Sequence, residues 1–553
     1  MPAIIDFNLL PPAGDKPLGI DVATREFLRG FFRHAEQNQF PCVCPSDSAF
    51  KGFADFAAEE NIAAGRCTAL TRHDAAAIEA TGVLIRYDPD LVRQAWLRRS
   101  HGQRRYSLIG IAHASASNAA MQVIGDYVAA PLQSWDALVC PSEAIRTADR
   151  HIIDGWCAYL GERFGAKISC PVQLPVIPLG TDTEHYGAIT GEVNRQSQRR
   201  ALALSDDEIA ILYVGRLNYV AKANPLPMFV AVEETAKRSA RPVRLLLNGY
   251  FNDEVNEAAF QEAAAAIFDV AKFQIIRHGE AEFPFGVWAA ADIFCSLSDN
   301  IQESFGLTPV EAMAAGLPSI VSDWNGYRET IRDGLDGYTI PTLMAPPGTG
   351  ADIAYRYYTR QNTYGDYLGA QSQSTSVDLG ALGQALYQLV NDDGTRRGMA
   401  EAAKKRAREV YDWAHVIKAY EELWDEISRH RMAAAELGER RGADPFHPSH
   451  PDPFAMFTGF ATKALDRGDP VQLSGLDWEQ SLERIKLKSG LVYSGALMEL
   501  EELPFLIGHL EADPGATVED ILKAMPHVEA ARLERTIVWL MKLGICRRAP
   551  DTP

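Results

Sequence analysis

The stretch "QESFGLTPVEAMAAGLPSIVSD", residues 302–323, sets two carboxylates, Glu303 and Glu311, on either side of a short apolar loop. Its pattern predicts a helix. Thr308 is placed to be the N-cap, Pro309 suits the first helical position, and Glu311 at the third completes a T-x-x-E capping box. Gly316 and Pro318 end the helix. Glu311 therefore has an ordinary architectural reason to be there, and Glu303 has none. It follows a strand and precedes Gly306, where the backbone can approach a ligand closely. The helix start beyond it presents free N–H groups and a positive dipole end. A carboxylate beside such an anion-binding position is costly unless it binds something else, such as sugar hydroxyls.

Outward from this stretch, strand-like and helix-like runs alternate. "YSLIGIAH" (106–113), "WDALVCPSEAIRTADR" (135–150) and "VQLPVIPLGTD" (172–182) supply strands and a helix start. A polar stretch, residues 185–208, interrupts the pattern, which restarts with "IAILYVGRL" (209–217), a helix over 224–240 and "VRLLLNGY" (243–250). "FQIIRHG" (273–279), "DIFCSLS" (292–298) and "PSIVSD" (318–323) read as further strands. Such alternation means parallel sheet with crossover helices. Two arrays joined by a polar hinge predict two doubly wound domains facing a cleft, with ligands bound beyond the carboxyl ends of the strands. The expected bounds are 1–190 and 191–435, with an insertion at about 343–378 rich in Gly, Tyr, Ser and Thr, and a helix over 413–435. A Pro-rich linker (436–475) leads to short amphipathic helices over 476–553. A capping box at Thr517 and Asp520, and Leu533, Ile537 and Leu540 at helical spacing, give that end a winged-helix-like look.

The chain has 553 residues, too many for one core. With 47% hydrophobic and 23% charged residues it is soluble and globular in composition. No apolar run approaches the roughly 18 residues of a membrane span. The start, "MPAIIDFNLLPPAGDKP", lacks a signal peptide's basic and apolar regions, so a cytoplasmic location is expected. The net charge of −19 argues against nucleic acid as a partner, as do nine acids against six bases between residues 499 and 548. Packing on the two doubly wound domains, a protein partner or another subunit is the expected use of the C-terminal module. Eight scattered cysteines read as free thiols; Cys42 and Cys44 lack the partners of a zinc site. Asp88–Pro89–Asp90 reads as a turn. Residues 91–105 hold Arg93, Arg98, Arg99, Arg104 and Arg105 and no acid. The plain reading is a solvated face; the sharper one is contact with an anionic membrane surface or a phosphorylated acceptor.

Glu303-Ser-Phe-Gly-Leu-Thr-Pro-Val-Glu311 with "AMAAGLPSIVSD" resembles the E-x(7)-E signature of retaining GT-B glycosyltransferases of family four, the group 1 glycosyl transferases. "YVGRL" (213–217) with Lys222 resembles that family's phosphate-binding Arg and Lys. "VIPLGTDTEHY" (176–186) is similar to its hinge strand. "ALVCPSEAIR" (137–146) and "WAAADIFCSLS" (288–298) resemble the segments before the hinge and before the signature. Together these cover about residues 105–430. The resemblance implies a GT-B fold and transfer of a hexosyl group from a nucleotide-diphosphate sugar, UDP- or GDP-linked, to a hydroxyl acceptor that is a sugar, lipid-linked or other. The transfer would retain the anomeric configuration and need no metal or cofactor. It implies that Glu303 contacts the donor sugar and Glu311 the ribose, and that Arg216 and Lys222 neutralise the leaving diphosphate. Phe305, Gly306, Leu307 and Thr308 would line sugar and diphosphate, and His113 would sit near the anomeric centre. The family's Gly-Gly in the first loop is absent; "PPAGDKPLGID" (11–21) offers Gly14, Lys16 and Gly19 instead. Two rival readings are a nucleotide-sugar epimerase, which shares the fold but not the E-x(7)-E, and a non-catalytic scaffold, which the missing Gly-Gly favours.

Overall fold

The computed structural model describes residues 3–7, 19–71, 75–277, 286–435, 445–476, 478–491 and 493–549. The chain divides into two units, Met1–Phe446 and His447–Pro553. The first unit holds two six-stranded parallel sheets. In the first sheet β1 is Ala3–Asp6, β2 Phe40–Val43, β3 Cys67–Leu70, β4 Val83–Ile85, β5 Ser107–Ile111 and β6 Ala137–Val139, in the order β3-β2-β1-β4-β5-β6. In the second, β7 is Ile209–Val214, β8 Val243–Gly249, β9 Lys272–Arg277, β10 Ile293–Ser296, β11 Ser319–Ser322 and β12 Gly337–Ile340, in the order β12-β11-β10-β7-β8-β9. The two expected doubly wound arrays are thus present.

Helices cover both faces of each sheet, so central strands are buried; every residue of β8 and β10 is buried, Arg244 of β8 by pairing with Glu208 at 2.9 Å. In the second sheet the order reverses between β7 and β10, which pair through Ile211 and Ile293. The loops leaving these two strands therefore diverge and open a crevice at their carboxyl ends.

Several local expectations are corrected. Residues 172–182 form no regular strand. Gln173 and Val176 make isolated bridges to Ala137 and Cys140, and Pro171, Pro175 and Pro178 remove the donors a ladder needs. The polar stretch 185–208 is largely helical, with helices Thr183–Ile189 and Glu192–Ala201. Arg195 and Arg199 of the latter clamp Asp292 just before β10, at 2.5 and 3.0 Å. The basic stretch is no solvated face. Arg98 is fully buried and paired with Asp136 at 2.6 Å, Arg104 donates to the carbonyls of Arg431 and Met432, and Arg105 pairs with Glu79. Arg99 lies over the Trp96 ring, and Arg93 is exposed.

The helix Trp413–Ala433 packs on the helix Gly19–His34 of the first array, its Trp413, Tyr420 and Trp424 meeting Phe27 and Phe31. Two glycines make room for Trp413: a Cβ at Gly30 or Gly180 would lie 2.7 or 2.5 Å from its ring. The insertion folds as an antiparallel ribbon, Thr342–Met344 against Thr375–Val377, carrying helices Ala351–Tyr358 and Tyr364–Ser372.

The second unit has helices Trp478–Lys486, Leu503–Ala512, Val518–Ala524 and Ala530–Lys542. The capping box of Thr517 and Asp520 is present, and Leu533, Ile537 and Leu540 are buried. A two-stranded ribbon, Val471–Leu473 with Cys546–Arg548, completes it. Among the described residues, no helix is long and apolar enough to cross a membrane.

Candidate active site

The crevice of the second sheet is built from the loops after β7 and β10. Beyond β7, the Asn218 side chain accepts the amides of Val220 and Ala221, and its carbonyl accepts that of Lys222 at 3.1 Å. This tight turn presents Lys222. Asn300, from the loop after β10, donates to the Val220 carbonyl, and Asp299 accepts the Asn224 amide. So pinned, the two loops bring Lys222 Nζ to 2.9 Å from Glu303 Oε2, an ion pair between residues 81 positions apart. Arg216 leaves β7 nearby, and among the described residues it pairs with no carboxylate.

Glu303 leads into Gly306, whose φ of +87° only glycine adopts readily. A Cβ there would lie 2.0 Å from the Tyr327 ring. The helix beyond runs Leu307–Ala315, with Gly306 as its flanking residue and no side-chain cap. The expected capping box is therefore absent. The glycine turn starts the helix two residues early, which puts Thr308 inside it, bonded to the Tyr327 hydroxyl. Tyr327 also meets Ser296 at 3.0 Å and so ties the helix start to β10. Gly306→Ala should destabilise the fold by about 1–3 kcal/mol, from backbone strain and overpacking. Denaturant midpoints check this, and an unchanged midpoint would mean that Tyr327 moves freely aside.

Without a cap to make, Glu311 faces another way. It accepts the Tyr186 hydroxyl and feels the charge of Glu26 from the first array; burial pushes its pKa up to about 7. Phe305 is buried against Tyr411, so of this residue only the backbone is available to a ligand, while Leu307 is half-buried.

The first array contributes its own strand ends. His113, just past β5, donates from Nε2 to the Tyr87 carbonyl at 2.5 Å, and burial lowers its pKa. The neutral ring keeps Nδ1 as an acceptor. Ser142 caps the helix Glu143–Phe164 and donates to the Ser304 carbonyl at 2.7 Å, which fastens the loop of Glu303 to the first array. Gly19 opens the helix Gly19–His34; Gly14 and Lys16 lie outside the described residues. Asp88 and Asp90 form the expected turn, the Asp90 amide donating to Asp88. Among the described residues, no cluster of three or more His, Cys, Asp or Glu side chains has the geometry to hold a metal ion.

The structure joins Lys222 to Glu303, while His113 bonds to the Tyr87 carbonyl and Glu311 to Tyr186. Sequence reasoning missed Asp299, 6% exposed, one oxygen without a partner, its pKa raised by burial to about 7. It missed Tyr186 and Asn300 as well. Asp299 and Asn300 lie just before Glu303 on the same strand-end loop, which is the one signal that would have drawn attention to them.

Residues 194–344, which carry Arg216, Lys222, Glu303 and Glu311, match the family described as glycosyl transferases group 1. This segment is similar to group 1 glycosyltransferases. Similar relatives are D-inositol 3-phosphate glycosyltransferases, from Geodermatophilus obscurus (30% identical over 44% of this chain and 52% of that one) and Rhodococcus erythropolis (28% over 35% and 42%). The chain spans about half the length of the curated relatives it matches. Among solved structures, Anabaena HepE in complex with UDP aligns over 77% of this chain and 100% of that one, at 16% identity and a TM-score of 0.50. A glycosyltransferase from Rickettsia africae aligns over 77% and 98%, at 13% identity and a TM-score of 0.50. The matched segment thus sits in a GT-B fold.

Proposed function

We propose that the chain is a retaining, metal-independent glycosyltransferase that moves a hexosyl group from a UDP- or GDP-linked sugar to a hydroxyl acceptor. The observation that carries this reading is the Lys222–Glu303 pair at the switch point of the second sheet, beside a glycine turn into a helix start. Cations there meet the charge that grows on a departing diphosphate. Glu303 accepts hydrogen bonds from donor-sugar hydroxyls, and Glu311 from the ribose. The backbone of Phe305, Gly306, Leu307 and Thr308 lines the diphosphate. His113, neutral, accepts a sugar hydroxyl on the opposite wall, and Gly19 opens a helix whose positive end offsets phosphate charge. The leaving diphosphate takes the acceptor proton on the same face. The relatives' names make an inositol phosphate the first acceptor to try, and the UDP complex of HepE makes UDP-sugars the first donors. Release of nucleoside diphosphate over a donor panel, with the product anomer read by NMR, tests the reading. Release with no donor, or an inverted product, would sink it.

Glu311 makes nucleotide affinity depend on pH. Ribose hydroxyls are held by the ionised carboxylate, so the proton it keeps below about pH 7 must leave on binding. Affinity should fall up to about tenfold per pH unit below that value and level off above it. Stability runs the other way. Between the ordinary value of 4.5 and about 7 the folded chain holds a proton that the unfolded chain releases, so this group's contribution is lost as pH rises through the window. Titration calorimetry at pH 6 in two buffers of different ionisation heat should show proton release, absent in Glu311→Gln. Release that persists in the variant would assign the proton elsewhere.

A further inference from the structure

The insertion is rooted at one edge of the second sheet and reaches across to the first array. Its ends are closed by the Asp378 amide, which donates to the Pro341 carbonyl at 2.9 Å, and Thr342 donates to the Asp323 carbonyl at 3.0 Å. On the donor side it touches both loops of the crevice. Gln371 accepts the Ile301 amide at 3.2 Å, and Gly369 packs so closely on Val220 that a Cβ would lie 3.2 Å from its methyl. On the other side the Tyr357 hydroxyl accepts the amide of Asn118 at 3.0 Å. Asn118 begins the helix Asn118–Asp126, which follows the strand end of His113.

Between these anchors stands a group of three tyrosines. Tyr357 and Tyr367 stack at 4.5 Å, and Tyr364 lies 6.1 Å from Tyr357. Tyr357 is buried, whereas Tyr364 and Tyr367 are half-buried. Tyr364 is within electrostatic reach of Arg216. The group therefore neighbours the loops of Lys222 and Glu303 on one side and the segment following His113 on the other. An acceptor hydroxyl has to arrive between those sides.

We propose that the insertion is the acceptor-binding wall of the site. Tyr364 and Tyr367 take the C–H face of a ring-shaped polyol, a sugar or cyclitol, and Tyr357 holds the wall against the first array. A half-exposed phenol suits this ligand because it offers an apolar ring to the C–H face and a hydroxyl to the ligand's own hydroxyls. The stacked Tyr357–Tyr367 pair, fixed to both arrays, meets the ligand with little rotamer freedom left to lose. This rests on the glycosyltransferase reading above.

The test uses the full chain saturated with UDP or GDP, whichever calorimetry shows to bind, and saturation-transfer NMR with myo-inositol, methyl α-D-glucopyranoside and glycerol. At least one ring polyol should receive saturation at its C–H protons, and open-chain glycerol should not. Tyr364→Ala should weaken that ring polyol about tenfold while nucleotide affinity stays unchanged, and Tyr364→Phe should keep most of the binding. No transfer to either ring polyol in the nucleotide-bound wild type would overturn the inference. So would a signal that survives Tyr364→Ala, or an equal loss of nucleotide affinity, which would make the insertion a prop for the Lys222 loop. Failure of every nucleotide to bind would count against the glycosyltransferase reading instead.

Discussion

Glu303→Ala is expected to lower turnover about 30- to 1000-fold, the equivalent of about 2–4 kcal/mol of transition-state stabilisation. An ionised carboxylate held in place accepts strong, charge-assisted hydrogen bonds from two neighbouring sugar hydroxyls, and alanine accepts none. In the structure the same carboxylate pairs with Lys222 at 2.9 Å. On the proposed reading the variant loses a sugar contact and releases a cation at once. Affinity for the sugar-free nucleoside diphosphate should stay level or rise, because Lys222 becomes free to meet phosphate. Turnover on the full donor and affinity for the bare nucleotide are measured on one preparation. Equal losses in both would show that Glu303 holds its loop together and does not touch the sugar.

Arg216→Ala or Lys222→Ala is expected to lower turnover by about 10²–10³, and by more than it lowers donor affinity. Charge on the diphosphate grows as the glycosidic bond breaks, so a cation aimed there acts mainly in the transition state. Arg216 can act directly, since no described carboxylate holds it. Lys222 must first share or give up Glu303, which predicts coupling: Lys222→Ala with Glu303→Ala should cost clearly less than the sum of the two single changes. A loss confined to the Michaelis constant would mean uniform binding. Full additivity would mean that the pair does not act as a unit. In the same assays a chelator is expected to leave activity intact; abolition with rescue by a divalent ion would overturn the metal-free part of the proposal.

Some of this was legible from residues alone. "IAILYV" and "VRLLLNG" announce buried parallel strands because both of their faces lie under helices, and burial on both faces leaves an unbroken apolar run. The short turn after β10, with its glycine between two glutamates, was visible as a candidate site for the same local reason. The first four strands were not read. β2 holds a proline and β3 two exposed residues, so neither shows the unbroken apolar run of a strand buried on both faces. Thr308 looked like a cap because the spacing fits, yet Gly306 at φ +87° begins the helix earlier. Arg98 reads as solvated from its sequence neighbours, yet Asp136, 38 residues away, holds it in the core.

What the sequence by itself determined is local: periodicity, turn chemistry, and which residue types stand at the strand ends. Tertiary structure alone decided who meets whom. Lys222 faces Glu303, Glu311 faces Tyr186, and Tyr357 meets Asn118 from 239 residues away. Local spacing is set by the geometry of the chain within a few residues. Contacts over such separations follow from how two sheets, their helices and an insertion pack, and packing depends on all of those surfaces together.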